Sequence, residues 1–145
     1  MRLESPEFEN GGNIPSRFTC DGEGTNPELI FSDISKEAKS LVLLMDDPDA
    51  PMGIWDHWIV FNMPPDTKGI SENSIPNGVV GKNTRGDNKY GPPCPPDREH
   101  RYFFKLYALN TKLGLDENAT KQDVLNAMQE HILTEAELMG RYNRI

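Results

Sequence analysis

Residues 40–65 place the strongest constraint on how this chain can fold. A six-residue apolar run, SLVLLM (40–45), feeds an acidic turn punctuated by prolines, DDPDAP (46–51). An aromatic run, HWIVFNM (57–63), follows and ends at Pro64 and Pro65. The first run is nearly continuous and too short for a helix, which fits a strand buried on both faces. Alternation along the second puts His57, Ile59 and Phe61 on one face and Trp58, Val60 and Asn62 on the other. Proline fixes φ in the turn and restricts the residue before it, and the proline pair closes the second strand. The expectation is strand, stiff loop, strand, with Asp47 where the first strand ends and His57 where the next begins. Rigid strand ends of this kind are where binding groups are held in place.

The segment HRYFFKLYAL (100–109) predicts a third strong strand. His100, Tyr102, Phe104, Leu106 and Ala108 share one face, and the bulk of the other face argues for a central position or for cover on both sides. Residues 17–20, 28–32 and 79–80 read as shorter strands. Residues 81–96 are the longest irregular stretch, and the prolines and Tyr90 within it suggest a stiff loop folded onto the body. Helical signals are confined to the C-terminal part. Thr120 followed by Asp123 resembles a capped helix start. Val124, Leu125, Met128 and Ile132 then form an apolar stripe, with His131 closing the helix where its dipole favours a histidine. Residues 134–140 read as a second short helix with Ala136, Leu138 and Met139 inward and Gly140 as its stop. Twelve glycines and twelve prolines in 145 residues favour turns over long helices. The chain reads as one domain over 1–145.

A net charge of −8 argues against a general binder of nucleic acid or anionic membranes, although a local anion site is compatible with it. No apolar run approaches the length of a membrane span, so no integral membrane association is expected. The N-terminal residues lack an apolar leader segment, which makes a cytoplasmic address the default. In that compartment Cys20 and Cys94 are expected as free thiols, a disulfide being the alternative that suits a hyperthermophile.

Of the three histidines, His131 reads as structural, whereas His57 and His100 each open an aromatic strand beside acidic or proline-rich loops. A carboxylate beside an imidazole orients the ring and favours its charged form, so Asp47 or Asp56 would act on His57. Two such rings, with hydroxyls and backbone N–H groups, can hold a phosphate or a carboxylate. A competing arrangement draws a two-histidine, one-carboxylate metal set from His57, His100 and Asp47 or Asp56. Another pairs Cys94 with His100 as nucleophile and base. Neither an HxH nor an HExxH spacing occurs, and no P-loop, GxSxG or dinucleotide fingerprint is found. No cofactor and no metal are therefore expected.

Together, DPDAP (47–51), WDHW (55–58), GPP (91–93) and HRY (100–102) resemble the phosphatidylethanolamine-binding proteins, and more narrowly their bacterial and archaeal Raf-kinase-inhibitor-like branch. CDG (20–22) with Asn26-Pro27, and AELMG (136–140), fit the same branch, so that the resemblance runs from about Phe8 to Tyr142. It implies a mainly β fold in which a central sheet packs with a smaller one, with short peripheral and C-terminal helices. It also implies a small anion-accepting pocket at one sheet edge, lined by Asp47, Pro51, His57, Gly91, Pro92, His100 and Tyr102. In that pocket His57 and His100 would be the anion-binding imidazoles, Asp47 would orient one of them or meet a ligand amine, and Tyr102 would supply a hydroxyl. Gly91 and Pro92 would let backbone approach the ligand. The implied protein is non-catalytic. Its partners would be a small phosphate-containing or anionic ligand and, through it, a protein kinase or a serine protease, with a homodimer left open. The alternatives are a metal-dependent or acid–base hydrolase built on the same His/Asp cluster, and a protease-inhibiting module acting through residues 81–97.

Overall fold

A computed structural model describes residues 1–144. Two antiparallel sheets carry the structure. The smaller has the order β1 (Arg2–Glu4), β2 (Leu29–Ser32), β5 (Gly69–Ile70). The larger runs β6 (Val79–Val80), β4 (Trp55–Met63), β3 (Ser40–Asp47), β7 (His100–Leu109), β8 (Ile132–Tyr142). One helix, α1 (Lys121–Met128), completes the described elements together with a 3-10 turn at Ser16–Phe18. The chain is mainly β. Among the described residues no helix is long and apolar enough to cross a membrane.

The order of the larger sheet follows from the apolar runs. β3 is buried along its whole length and lies at the centre. Leu41, Leu43 and Met45 face the smaller sheet and join Trp58, Val60, Phe104, Leu106, Leu29 and Phe31 in the main core. Val42 and Leu44 face the other way, onto Ile59, Phe61 and the helix residues Val124 and Met128. β7 is also internal, yet its second face is only partly covered, with Arg101 exposed and Phe103, Lys105 and Tyr107 half-buried. The capping box at the helix start is formed as expected: Asp123 N–H donates to Thr120 Oγ1, and Thr120 N–H donates to Asp123 Oδ2.

Four expectations need correction. Residues 134–140 are not a helix but the body of β8, paired with β7 from His100↔Tyr142 to Leu109↔Ile132. Their helix-forming composition yields to a free strand edge on β7, because tertiary pairing overrides weak local propensity. Gly140 is thus no helix stop. It lies opposite Tyr102, and a Cβ there would come within 2.5 Å of Ile14 Cγ1 and 2.8 Å of Phe8 Cε2. Ile132 accordingly leaves the helical stripe for β8, where it is 42% exposed, and His131 sits beyond the helix end with Nδ1 2.9 Å from Asn110 Oδ1. Residues 17–20 form no strand, since the chain turns there through the 3-10 segment. Finally, Cys20 and Cys94 are not free thiols but a disulfide across 74 positions. Such a bridge persists in oxidising compartments or in some hyperthermophiles, so the free-thiol expectation drawn from a reducing cytosol does not hold.

Candidate functional site

At one end of the larger sheet β3 terminates while β4 and β7 begin, and a cleft of about 620 Å³ opens over those three strand ends. Its walls include all seven residues expected from the sequence: Asp47, Pro51, His57, Gly91, Pro92, His100 and Tyr102. Trp55 and Met52 stand at the rim, Met52 almost wholly exposed.

A fault in strand pairing aims His57 into this cleft. Met45 pairs with Trp58 but Asp46 pairs with Asp56, so His57 is an extra residue in β4 with no partner on β3. A bulge of this sort re-aims a side chain. His57 therefore leaves the face of Ile59 and Phe61, where strict alternation would put it, and its ring meets the edge of Tyr102 at 5.3 Å between centroids. Its Nδ1–H donates to the Gly91 carbonyl (2.7 Å), and Gly91 N–H donates back to the His57 carbonyl (2.8 Å). Glycine permits this approach: a Cβ at position 91 would lie 3.1 Å from the His57 oxygen. The closeness of Gly91 thus serves the histidine. Burial lowers the pKa of His57, and the Gly91 bond and the charge of Asp47 offset that only in part. The ring is held neutral, with Nε2 unprotonated.

His100 is held quite differently. Its Nδ1 lies 2.6 Å from Asp47 Oδ2 and its Nε2 lies 2.7 Å from Asp97 Oδ1, so each ring nitrogen faces a carboxylate. Asp47 is the partner of His100, not of His57, and its second oxygen accepts the Asp49 N–H at 2.8 Å. Asp97 is an exposed loop residue whose pKa is lowered chiefly by its bond to His100. Between the two imidazoles stands Tyr102, fully buried, with His100 tilted at 6.4 Å. Burial first, then Asp47, Asp49 and Asp97, push the phenol well above its ordinary pKa, so the hydroxyl stays a donor. Among the described residues nothing in the protein accepts from it.

The acidic turn is rigid for a reason beyond its prolines. Asp49 clamps the start of β7: Oδ2 accepts from Arg101 N–H and Nε–H, and Oδ1 from Nη2–H, all at 2.9 Å. The Arg101 bond holds the Asp49 pKa down at about 2. The opposite wall is equally fixed. Tyr90 is buried, donates to the Phe18 carbonyl (2.8 Å) and meets Trp58 edge-on, and the disulfide ties Cys94 to the 3-10 turn region. Asn83 pins the loop from inside, its Nδ2 donating to the Lys89 carbonyl at 3.0 Å and its Oδ1 accepting from Asp87 N–H at 2.9 Å.

Two proposed arrangements are not assembled. Asp56 points to the far face of the sheet, where Lys121 Nζ lies 2.7 Å from its Oδ1 beside Asp46, so it makes no hydrogen bond to His57. Among the described residues no group of three or more His, Cys, Asp or Glu side chains is arranged to hold a metal ion. The Cys94 nucleophile is removed by the disulfide. Sequence reasoning missed Asp97, Asn83, Arg85 and Lys89. Only Asp97, three residues before His100, carried a local signal; the others reach the cleft through the path of an irregular loop.

A family model described as phosphatidylethanolamine-binding protein matches residues 4–143. A UPF0098 protein of Methanothermobacter thermautotrophicus is 51% identical, with 99% of each chain covered. The crystal structure of a phosphatidylethanolamine-binding protein homologue from Chlamydia trachomatis superposes with a TM-score of 0.97 at 46% identity, covering 99% of this chain and 97% of that one. E. coli YbcL, described as a member of the mammalian family, gives 0.91 at 29% identity, covering 99% and 98%.

Proposed function

The chain belongs to the phosphatidylethanolamine-binding protein family, and we propose on that premise that its cleft binds a small phosphate-type anion without turning it over. The single observation that carries the reading is the Tyr102 hydroxyl, a donor at the cleft floor with no protein hydrogen bond among the described residues, flanked by His57 and His100. A hydroxyl that finds no protein partner at the floor of a cleft is left to meet a ligand atom or water. Arg85 and Lys89 line the same cleft and add positive charge near its mouth, although the whole chain is acidic. His100 also lines the cleft, and its Nε2, which now faces Asp97, is a second position an anion oxygen would meet on displacing that carboxylate. The rigid walls keep the cleft preorganised for a ligand. In the cell such a bound state would modulate a partner, with a protein kinase or a serine protease the classes to try first.

The test is calorimetry with inorganic phosphate and phosphorylethanolamine on the wild type and on Tyr102→Phe. The variant keeps the ring and loses one hydrogen bond to a charged acceptor, so affinity should fall roughly ten- to a hundredfold. Absence of wild-type binding at millimolar ligand would end the reading. Hydrolysis of a phosphoester by the purified protein, lost in His100→Ala, would replace it with an enzyme.

A further inference from the structure

The cleft floor offers an anion one misplaced lone pair. The Gly91 carbonyl can only accept, so its 2.7 Å contact fixes the proton of His57 on Nδ1 and leaves Nε2 bare. That nitrogen has no partner among the described residues, and the ring lines the cleft. Beside it Tyr102 offers a proton, whereas Asp47 offers carboxylate oxygens already committed to His100 and to the Asp49 N–H. An anionic oxygen lodged against Tyr102 would thus meet a lone pair on His57. Two lone pairs repel unless a proton lies between them, and an acceptor buried without a donor is costly.

We propose that the cleft takes up its anion together with one proton, shared between an anion oxygen and His57 Nε2. The inference rests on the anion-binding reading above and narrows it. Oxyanions that carry or readily acquire a proton, such as phosphate and phosphomonoesters, are favoured over those that do not, such as sulfate. No bond other than this hydrogen bond is made: the proton comes with the ligand or from solvent and returns with it.

The charges around the ring bear on the direction of the effect. From β3, Asp47 and Asp46 favour a proton on His57, and Asp56 of its own strand does so more weakly. From β7, Tyr102 is neutral and His100 lies between its two carboxylates. From the loop wall, Arg85 and Lys89 oppose a ring proton and Asp87 favours it. Burial outweighs all of these in the free protein and keeps the ring neutral. An anion in the cleft adds one more negative charge at close range, which favours the proton that burial had excluded.

The experiment is isothermal calorimetry on the whole protein with inorganic phosphate and with sulfate, from slightly acid to alkaline pH, each in two buffers of different ionisation enthalpy. At alkaline pH, where free phosphate is the dianion, its binding should take up about one proton, falling toward zero as free phosphate becomes the monoanion. Sulfate should bind roughly tenfold or more weakly at alkaline pH and improve as pH falls. His57→Gln, which can turn an amide N–H toward the ligand, should bind both anions alike with no proton uptake. Wild-type phosphate binding with no proton exchange, matched by sulfate at every pH, would overturn the proton coupling while leaving the anion site standing. Failure of both anions to bind would overturn the site itself.

Discussion

Gly140→Ala tests the least expected element of the fold, because the size and reach of its effect depend on whether residue 140 packs against the core in a strand or ends an exposed helix. In β8 the added Cβ would lie 2.5 Å from Ile14 Cγ1, 2.8 Å from Phe8 Cε2 and 2.9 Å from Ile14 Cδ1. Ile14 and Phe8 are only 2% and 7% exposed, so neither can swing clear without disturbing the core. Overpacking of a tight core costs about 1–3 kcal/mol, and three contacts under 3 Å put this site in the upper half of that range. Removing glycine's excess backbone freedom returns about 0.5–1 kcal/mol. The net loss is ~1–2.5 kcal/mol, which for a chain of this size lowers Tm by roughly 3–8 °C. As the stop of an exposed helix the same change would cost about 1 kcal/mol through the left-handed backbone alone, with no crowding of Phe8 or Ile14 and no effect on the cleft. Differential scanning calorimetry reads the difference directly. Because Gly140 pairs with Tyr102, any shift should also reach the cleft, and phosphate affinity should weaken along with stability. A variant as stable as the wild type, or more so, would refute both the strand assignment and the contact with Phe8 and Ile14.

Asp97→Ala should tighten phosphate binding by roughly two- to fivefold at low ionic strength, since an exposed carboxylate leaves His100 Nε2, and the gain should shrink as salt is added. Weaker or unchanged affinity by calorimetry would mean that Asp97 is no competitor for that proton. Asp49, whose pKa is held at about 2 by Arg101, contributes stability that is fully present above the ordinary carboxylate range and is lost as pH falls toward 2. Urea midpoints between pH 5 and 2 should therefore fall less steeply in Asp49→Asn than in the wild type, and parallel curves would count against the clamp.

What was legible in the sequence is what short-range patterning specifies. The apolar run at 40–45 fitted a strand buried on both faces, and β3 is that strand. The alternation at 100–109 put His100 and Tyr102 on one face, and both are buried there. The capping box at Thr120 was readable because both of its partners lie within one turn. Three features were hidden. β8 carries inward residues at every second position, Ala136, Leu138, Gly140 and Tyr142, but its composition speaks for a helix, and only the waiting edge of β7 decides the matter. The Cys20–Cys94 bridge depends on a loop path that no local pattern encodes. The bulge at His57 depends on the register between two strands, and a one-residue slip redirects a side chain without leaving a trace in either strand's sequence.

That slip explains why two histidines that look alike in the sequence end up with different partners. His100 lies in a regular stretch of β7, so its ring follows the alternation and reaches the carboxylate at the end of the neighbouring strand. His57, displaced by the bulge, finds a backbone carbonyl instead, and a carbonyl stabilises the charged ring far less than a carboxylate does. Burial then has the larger say and keeps it neutral. A pair of equally charged imidazoles would attract any anion of the right size. One ring bound by carboxylates and one bare lone pair, with an unpaired phenol between them, ask in addition where the ligand's proton is. Selectivity of this kind costs little structure. It needs one extra residue in β4 and a glycine at position 91 that lets two backbones meet.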